Sequence, residues 1–168
     1  LLKGLYWSKV PGTAAAKTIQ PAEDYIIPLG KARIFQHAQQ EKIDHGESMV
    51  VITYGMGVHW ALNASKAFPG QVEILDLRTL YPYDWEAIST SVKRHNKCFV
   101  LTEEPLMNSF AQAMSGRIAT ELFRHLDAPV RTLGAKDLPA VPLNSLLEKA
   151  MLPNMEQVRG VMEELLDF

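Results

Sequence analysis

The 168 residues hold 17 Lys and Arg against 19 Asp and Glu, a formal charge of −2, with 47% apolar and 21% charged side chains. That balance suits one globular domain with a sizeable core and, lacking any basic run, argues against a nucleic-acid partner. No apolar stretch approaches the ~20 residues a membrane-spanning helix needs, and a single cysteine, Cys98, excludes a disulfide framework and points to a reducing compartment such as the cytoplasm.

Residues 1–25 show no sustained periodicity and contain Pro11-Gly12, Ala14-Ala15-Ala16 and Pro21. They are read as a connector from a preceding domain, which would also cover Tyr6 and Trp7. The opening Leu1, in place of Met, fits a piece of a longer chain. Residues 26–35 form a strand candidate that Pro28 confines to an edge. Residues 36–48 are polar and read as a hairpin-like loop.

Residues 49–68 form the organising unit of the chain. Met49 to Thr53 is a continuous apolar, β-branched run, as expected of a strand covered on both faces. Gly55 and Gly57 give a sharp strand-to-helix turn. From Val58 the spacing of Val58, Ala61, Leu62, Ser65 and Phe68 predicts a helix, which Pro69-Gly70 stops. A third strand is predicted over 72–77 and a loop over 78–83. Asp84 then caps a helix with the stripe Trp85, Ile88, Val92, carrying Glu86 at its start and Lys93, Arg94, His95 at its end, as the helix dipole favours. A fourth strand spans 98–102, with Cys98 a buried, inert thiol. A helix over 109–123 turns Ala111, Met114, Ile118 and Leu122 inward. A fifth strand spans 130–133 and a short helix 143–150. Asn154 and Gln157 form a capping box on the last helix, whose stripe is Val158, Val161, Met162, Leu165, Leu166. Alternating strands and helices predict an α/β fold with a mostly parallel sheet between helical layers.

In such sheets ligands bind at the carboxyl ends of the strands, where the strand order reverses. His59 lies in the first turn after Gly57, where the positive helix end favours neutral imidazole; it is either a proton donor or hydrogen-bonding group, or a residue lining a domain contact. Glu103 and Glu104 follow the fourth strand and would face the 55–59 turn across a crevice, as an acid–base pair or a solvated rim. Arg78 either binds an anion there, with Gly55 and Gly57, or joins Asp84 in a salt bridge that pins the loop. No GxGxxG or GxxxxGK[ST] loop, no Cys/His cluster at metal spacing and no GxSxG elbow is present. The sequence holds no complete active site and no metal site.

The segments EDYIIPLGKARIF, MVVITYGMGVHWAL, ILDLRTLYPYDWEAISTSVKRH, FVLTEE, LDAPVRTLGAKDLPAVP and LPNMEQV occur in this order. Together they resemble the C-terminal, transketolase-like domain of the β subunit, or β region of a fused chain, of thiamine-dependent 2-oxo acid dehydrogenases of the pyruvate or branched-chain type. The resemblance implies a three-layer α/β/α sandwich over residues 26–168, with a five-stranded sheet, an antiparallel first strand at the edge and Met49–Thr53 central. It implies part of an enzyme that decarboxylates a 2-oxo acid and passes the acyl group to a lipoyl carrier. Thiamine diphosphate and Mg would be bound outside this piece, which alone would be inactive and would serve assembly and docking. The implied partners are a second copy across a two-fold axis, the α subunit or α region, and the core lipoyl acyltransferase, whose basic side chains would meet Asp127 and the terminal Phe168. A eukaryotic version would sit in the mitochondrial matrix. The segment GLYWSKVPGTAAAKT departs from the usual family pattern. Two other readings stay open: a small-ligand or anion-binding regulatory module, and a domain lending His59 and Glu103 to catalysis.

Overall fold

A strand with no polar side chain until its last residue can only be stable with both faces covered, and Met49–Thr53 is buried at every position. The computed structural model describes residues 21–139 and 142–168, so most of the expected connector, with Tyr6 and Trp7, lies outside the described residues. The elements in order are β1 (Arg33–Gln36), α1 (Gln40–Asp44), β2 (Met49–Thr53), α2 (Met56–Ala64), β3 (Val72–Asp76), α3 (Trp85–His95), β4 (Cys98–Pro105), α4 (Phe110–Glu121), β5 (Arg131–Ala135), α5 (Ser145–Met151) and α6 (Met155–Leu166). They build a five-stranded sheet in the order β1-β3-β2-β4-β5. β1 runs antiparallel to β3 at the edge, and the other pairs are parallel.

The two faces of β2 divide the core. Met49 and Val51 join Phe99 and Leu101 under α2 and α6, packed by Val58, Ala61, Val158, Met162 and Leu165. Val50 and Ile52 join Cys98 and Val100 under α3 and α4, packed by Ile88, Val92, Met114 and Ile118. The outcome is three layers, with each of the largest buried side chains contributing about 1.5–3 kcal/mol by leaving water. Burial pushes the Cys98 thiol far up, so it stays protonated and inert. The expected caps form: Asp84 accepts from the Ala87 N–H at 3.1 Å, and Asn154 with Gln157 closes a reciprocal capping box.

Three expectations need correction. The first strand is only Arg33–Gln36; upstream of it the chain crosses the 78–84 loop, where Gly30 N–H donates to Thr79 Oγ1 and Ala32 N–H to Asp84 Oδ2. Residues 36–48 are not a hairpin, because both edges of β2 are taken by parallel β3 and β4; β1 goes outside β3, and α1 occupies the crossover. β4 runs on to Pro105 and β5 to Ala135, so Glu103 and Glu104 are strand residues and not a loop.

At the amino edge the fold buries a charged network. Glu73, 1% exposed on β3, accepts from Ser91 Oγ at 2.6 Å and from Arg94 Nη1 at 3.0 Å. His95 Nε2 lies 3.3 Å from Glu73 Oε2, close enough for ion pairing but without hydrogen-bond geometry. The other ring nitrogen of His95 meets Ser48 Oγ at 2.7 Å. Burial pushes the Glu73 carboxyl up, but His95, the Ser91 hydroxyl and Arg94 together outweigh it and hold the carboxyl below its ordinary value. A carboxyl depressed on folding adds stability above its unfolded pKa of about 4.3 and loses it as pH falls through the folded value. Glu73→Gln is therefore expected to cost about 1.5–3 kcal/mol near neutral pH. Urea titrations across pH should show that gap closing as the medium is acidified below about pH 4.

Candidate functional site

The reversal of strand order at β2 opens the carboxyl edge of the sheet between β3 and β4. Thr53 ends β2 in register with Asp76 at the end of β3. The chain then turns through Gly55 at φ +58°, a backbone conformation that a side chain would strain. Gly57, in the first turn of α2, answers a different need. A Cβ there would lie 2.0 Å from Thr53 Oγ1, so only glycine lets the helix settle directly on the end of β2.

That seating places His59 over the edge, 9% exposed, with Nδ1 buried and without a partner. Burial lowers its pKa and the neighbouring Asp76 carboxylate partly restores it, so the ring is neutral at physiological pH. Asp76 moves the other way: burial raises it, while a 3.1 Å bond from the Arg78 N–H and the charges of Arg78 and Arg33 restrain the rise. Thr53 Oγ1 is also buried and unpartnered. The sequence-predicted partners of His59 are placed elsewhere. Glu104 accepts from the Ala111 N–H at 3.2 Å in the first turn of α4. Glu103 turns toward α5, with Oε2 buried and unpartnered; burial raises its pKa and the charge of Glu148 raises it further. The two glutamates diverge at an irregularity in the β4–β5 pairing and form no acid–base pair.

Arg78 and Asp84 do not meet either. The Arg78 guanidinium donates to the Tyr25 hydroxyl at 3.5 Å, while Asp84, besides capping α3, lies 3.8 Å from Lys31 Nζ. Sequence reasoning missed Thr53 and Asp76, although each is a polar residue closing an apolar strand, the one available signal. Among the described residues no group of three or more His, Cys, Asp or Glu is placed to hold a metal ion. The edge does not fit a diphosphate, since the carboxyl groups of Asp76 and Glu103 stand where that anion would need donors.

The docking candidates lie on the opposite edge. Asp127 is exposed, its N–H donating to Asn96 O at 2.9 Å. It borders an open groove of about 550 Å³ against α4, lined also by Ser115, Gly116, Ala119 and Phe123. Phe123 is 74% exposed and Phe168, after α6, 62%. An ion pair between Arg131 at the start of β5 and Glu164 in the last turn of α6 holds the end of that helix at this amino edge.

Residues 38–158 match the transketolase C-terminal domain family. The chain belongs to that family. It is 34% identical to the 2-oxoisovalerate dehydrogenase β subunit of Bacillus subtilis over 88% of this chain and 44% of the relative. It is 32% identical to the pyruvate dehydrogenase E1 component β subunit of Rhizobium meliloti over 81% of this chain and 28% of that protein. The chain thus spans less than half the length of these relatives. Among solved structures, an inactive β4 tetramer of a split-gene transketolase superposes with a TM-score of 0.66 at 16% identity, over 87% of this chain and 45% of that one, a likeness of fold.

The Gly57–Thr53 contact gives a sharp expectation for this family member. Gly57→Ala is expected to destabilise by about 1–3 kcal/mol through overpacking. In a Thr53→Ala background the clash is gone, and the same change should be neutral or stabilising by up to about 1 kcal/mol. Chemical denaturation of the four proteins of this cycle measures both signs.

Proposed function

We propose that this chain is the assembly and docking domain of the β subunit of a thiamine diphosphate-dependent 2-oxo acid dehydrogenase, of the branched-chain or pyruvate type. The whole enzyme would decarboxylate the 2-oxo acid and transfer the acyl group to a lipoyl carrier, with thiamine diphosphate and Mg held outside this domain. The observation that carries this reading is membership of the family, beside a carboxyl edge at which, among the described residues, the sequence-predicted acid–base groups do not converge. His59 has Asp76 beside it, Glu104 is spent on capping α4, and Glu103 stands apart.

The partner-facing surface in this reading is the amino edge. Phe123 lies four residues beyond Ala119 and seven beyond Gly116, so knob and hollow share one face of α4 and its continuation. A Cβ at Gly116 would meet nothing within 4 Å. A two-fold contact needs each copy to offer both a protruding and a receiving part, and the exposed Phe123 beside the open Gly116 stripe supports a second copy of the domain as one partner. Asp127 on the groove rim then offers negative charge to the basic binding domain of a lipoyl acyltransferase core, with Phe168 as a second contact and the α subunit or α region completing the enzyme. Exposed carboxylates of this kind steer encounter and fix register.

Asp127→Lys in the assembled enzyme is expected to weaken binding of the core acyltransferase's binding domain and flatten its dependence on salt, measured by calorimetry between low and physiological ionic strength. Unchanged affinity across that range would remove Asp127 from the docking face. The 168-residue chain by itself is expected to give no heat with thiamine diphosphate and Mg; micromolar binding would overturn the non-catalytic reading.

A further inference from the structure

The segment that carries Asp127 is tied across to α3 through one residue. It runs between two buried anchors, Leu122 at the end of α4 and Ala128 ahead of β5. Between them Phe123, Arg124, His125 and Asp127 are exposed, and Leu126 is half-buried against the core under α3 and α4. Packing therefore does little to fix residues 123–127. Two hydrogen bonds do more. Asn96 Nδ2 donates to the His125 carbonyl at 2.8 Å, and the Asp127 N–H donates to the Asn96 carbonyl at 2.9 Å. Among the described residues, these are the hydrogen bonds that join residues 123–127 to an element other than α4.

Asn96 stands at the C-terminal cap of α3 in the left-handed conformation, φ +60°, with its own N–H on Val92 O at 2.8 Å. Glycine is the usual residue there, because it adopts positive φ without strain. Asparagine tolerates the same conformation and brings a side-chain donor that glycine lacks. That donor goes to His125. The residues on either side of Asn96 give it a fixed base. The His95 ring meets Ser48 Oγ at 2.7 Å. Lys97 Nζ donates to Gly46 O at 3.0 Å, and Lys97 O accepts from the Val50 N–H of β2 at 3.0 Å. Both neighbours are buried in the fold, and Asn96 between them reaches the segment that carries Asp127.

We propose that Asn96 is the positioning residue of the docking face: it orders residues 123–127 before contact, so that the Asp127 carboxylate meets a basic binding domain in one register. This rests on the docking role proposed above for Asp127. The two bonds act on different atoms. The one from the Asp127 N–H holds the backbone that carries the carboxylate, and the one to the His125 carbonyl holds the turn before it. Without the Asn96 amide the segment keeps its charge and both anchors but samples more conformations. Each binding event then has to order it, which weakens the complex. Charge and order are separable on this face. The Asp127 charge governs how binding responds to salt, whereas Asn96 governs how much ordering the contact demands.

Asn96→Gly in the assembled enzyme tests this, because glycine retains the left-handed cap and removes only the side-chain donor. Hydrogen–deuterium exchange at the amides of residues 124–128 should be at least about threefold faster than in the wild type. Affinity for the core acyltransferase's binding domain, measured by calorimetry, should fall about three- to tenfold, the equivalent of one hydrogen bond. Its slope against salt should not change, whereas Asp127→Lys, run beside it, should flatten that slope. The thermal midpoint should stay near wild type, since the easier left-handed cap offsets the lost bond. Wild-type affinity or wild-type exchange in Asn96→Gly overturns the inference; with a docking loss in Asp127→Lys, the proposed function still stands. A clearly lowered midpoint with a matching loss of affinity would make Asn96 a support of the fold at large and overturns the inference too. If the wild-type enzyme has no affinity for the binding domain, the docking reading fails and takes this inference with it.

Discussion

β2 is hydrogen-bonded to a parallel neighbour on each side and buried on both faces, and that constraint decides most of the remaining architecture. A strand with both edges occupied cannot accept a hairpin partner, so the polar stretch before it becomes a crossover with α1 and β1 moves outside β3. A strand with both faces covered needs helices above and below, which α2 with α6 and α3 with α4 supply. The same central position makes β2 the point where the strand order reverses. The carboxyl edge is open there because α2 and α3, leaving β2 and β3, pass to opposite faces of the sheet.

The two edges are finished in different ways. At the amino edge the buried carboxylate of Glu73 has a hydroxyl, a guanidinium and an imidazole around it, so desolvation is offset locally and the network can hold β3 to α3 without outside help. At the carboxyl edge the seat of α2 on Thr53 is made close by Gly57, but the hydroxyl beneath it, the His59 nitrogen above it and one oxygen of Glu103 stay unmatched. Close packing and polar satisfaction have been separated there. A fold that needed that edge only for its own stability would gain by replacing Thr53 or Glu103 with apolar side chains of similar size.

The fold was legible wherever one local signal acted alone. The continuous apolar run of β2, the Asp84 cap, the Asn154–Gln157 box and the stripes of α3, α4 and α6 all read directly from spacing, because burial on one face imposes a period that the sequence must carry. What did not read was pairing between distant segments. Residues 26–29 have strand-like composition, but Gly30 and Ala32 are taken by Thr79 and Asp84, a competition that no local pattern reports. The glutamate pair failed for a related reason: adjacency in sequence placed Glu103 and Glu104 together, and an irregularity in β4 sent one to α4 and the other toward α5. His59 was found by its place at a helix start. Its true neighbour, Asp76, sits seventeen residues away at the end of another strand, beyond the reach of any local motif.

The separation of the two edges bears on how a domain of this family can serve assembly. An exposed carboxylate attracts a basic group over the range of the Debye length, but it stays solvated after contact and contributes mainly to rate and register. A buried, unmatched group acts only on contact, and it distinguishes a partner that supplies the missing donor from one that does not. Among the described residues, buried atoms without a hydrogen-bond partner occur at both edges: His95 Nε2 at the amino edge, and Thr53 Oγ1, His59 Nδ1 and Glu103 Oε2 at the carboxyl edge. A surface for reversible docking needs long-range attraction with little desolvation, whereas a permanent contact can bury carboxyl groups because its partner never leaves.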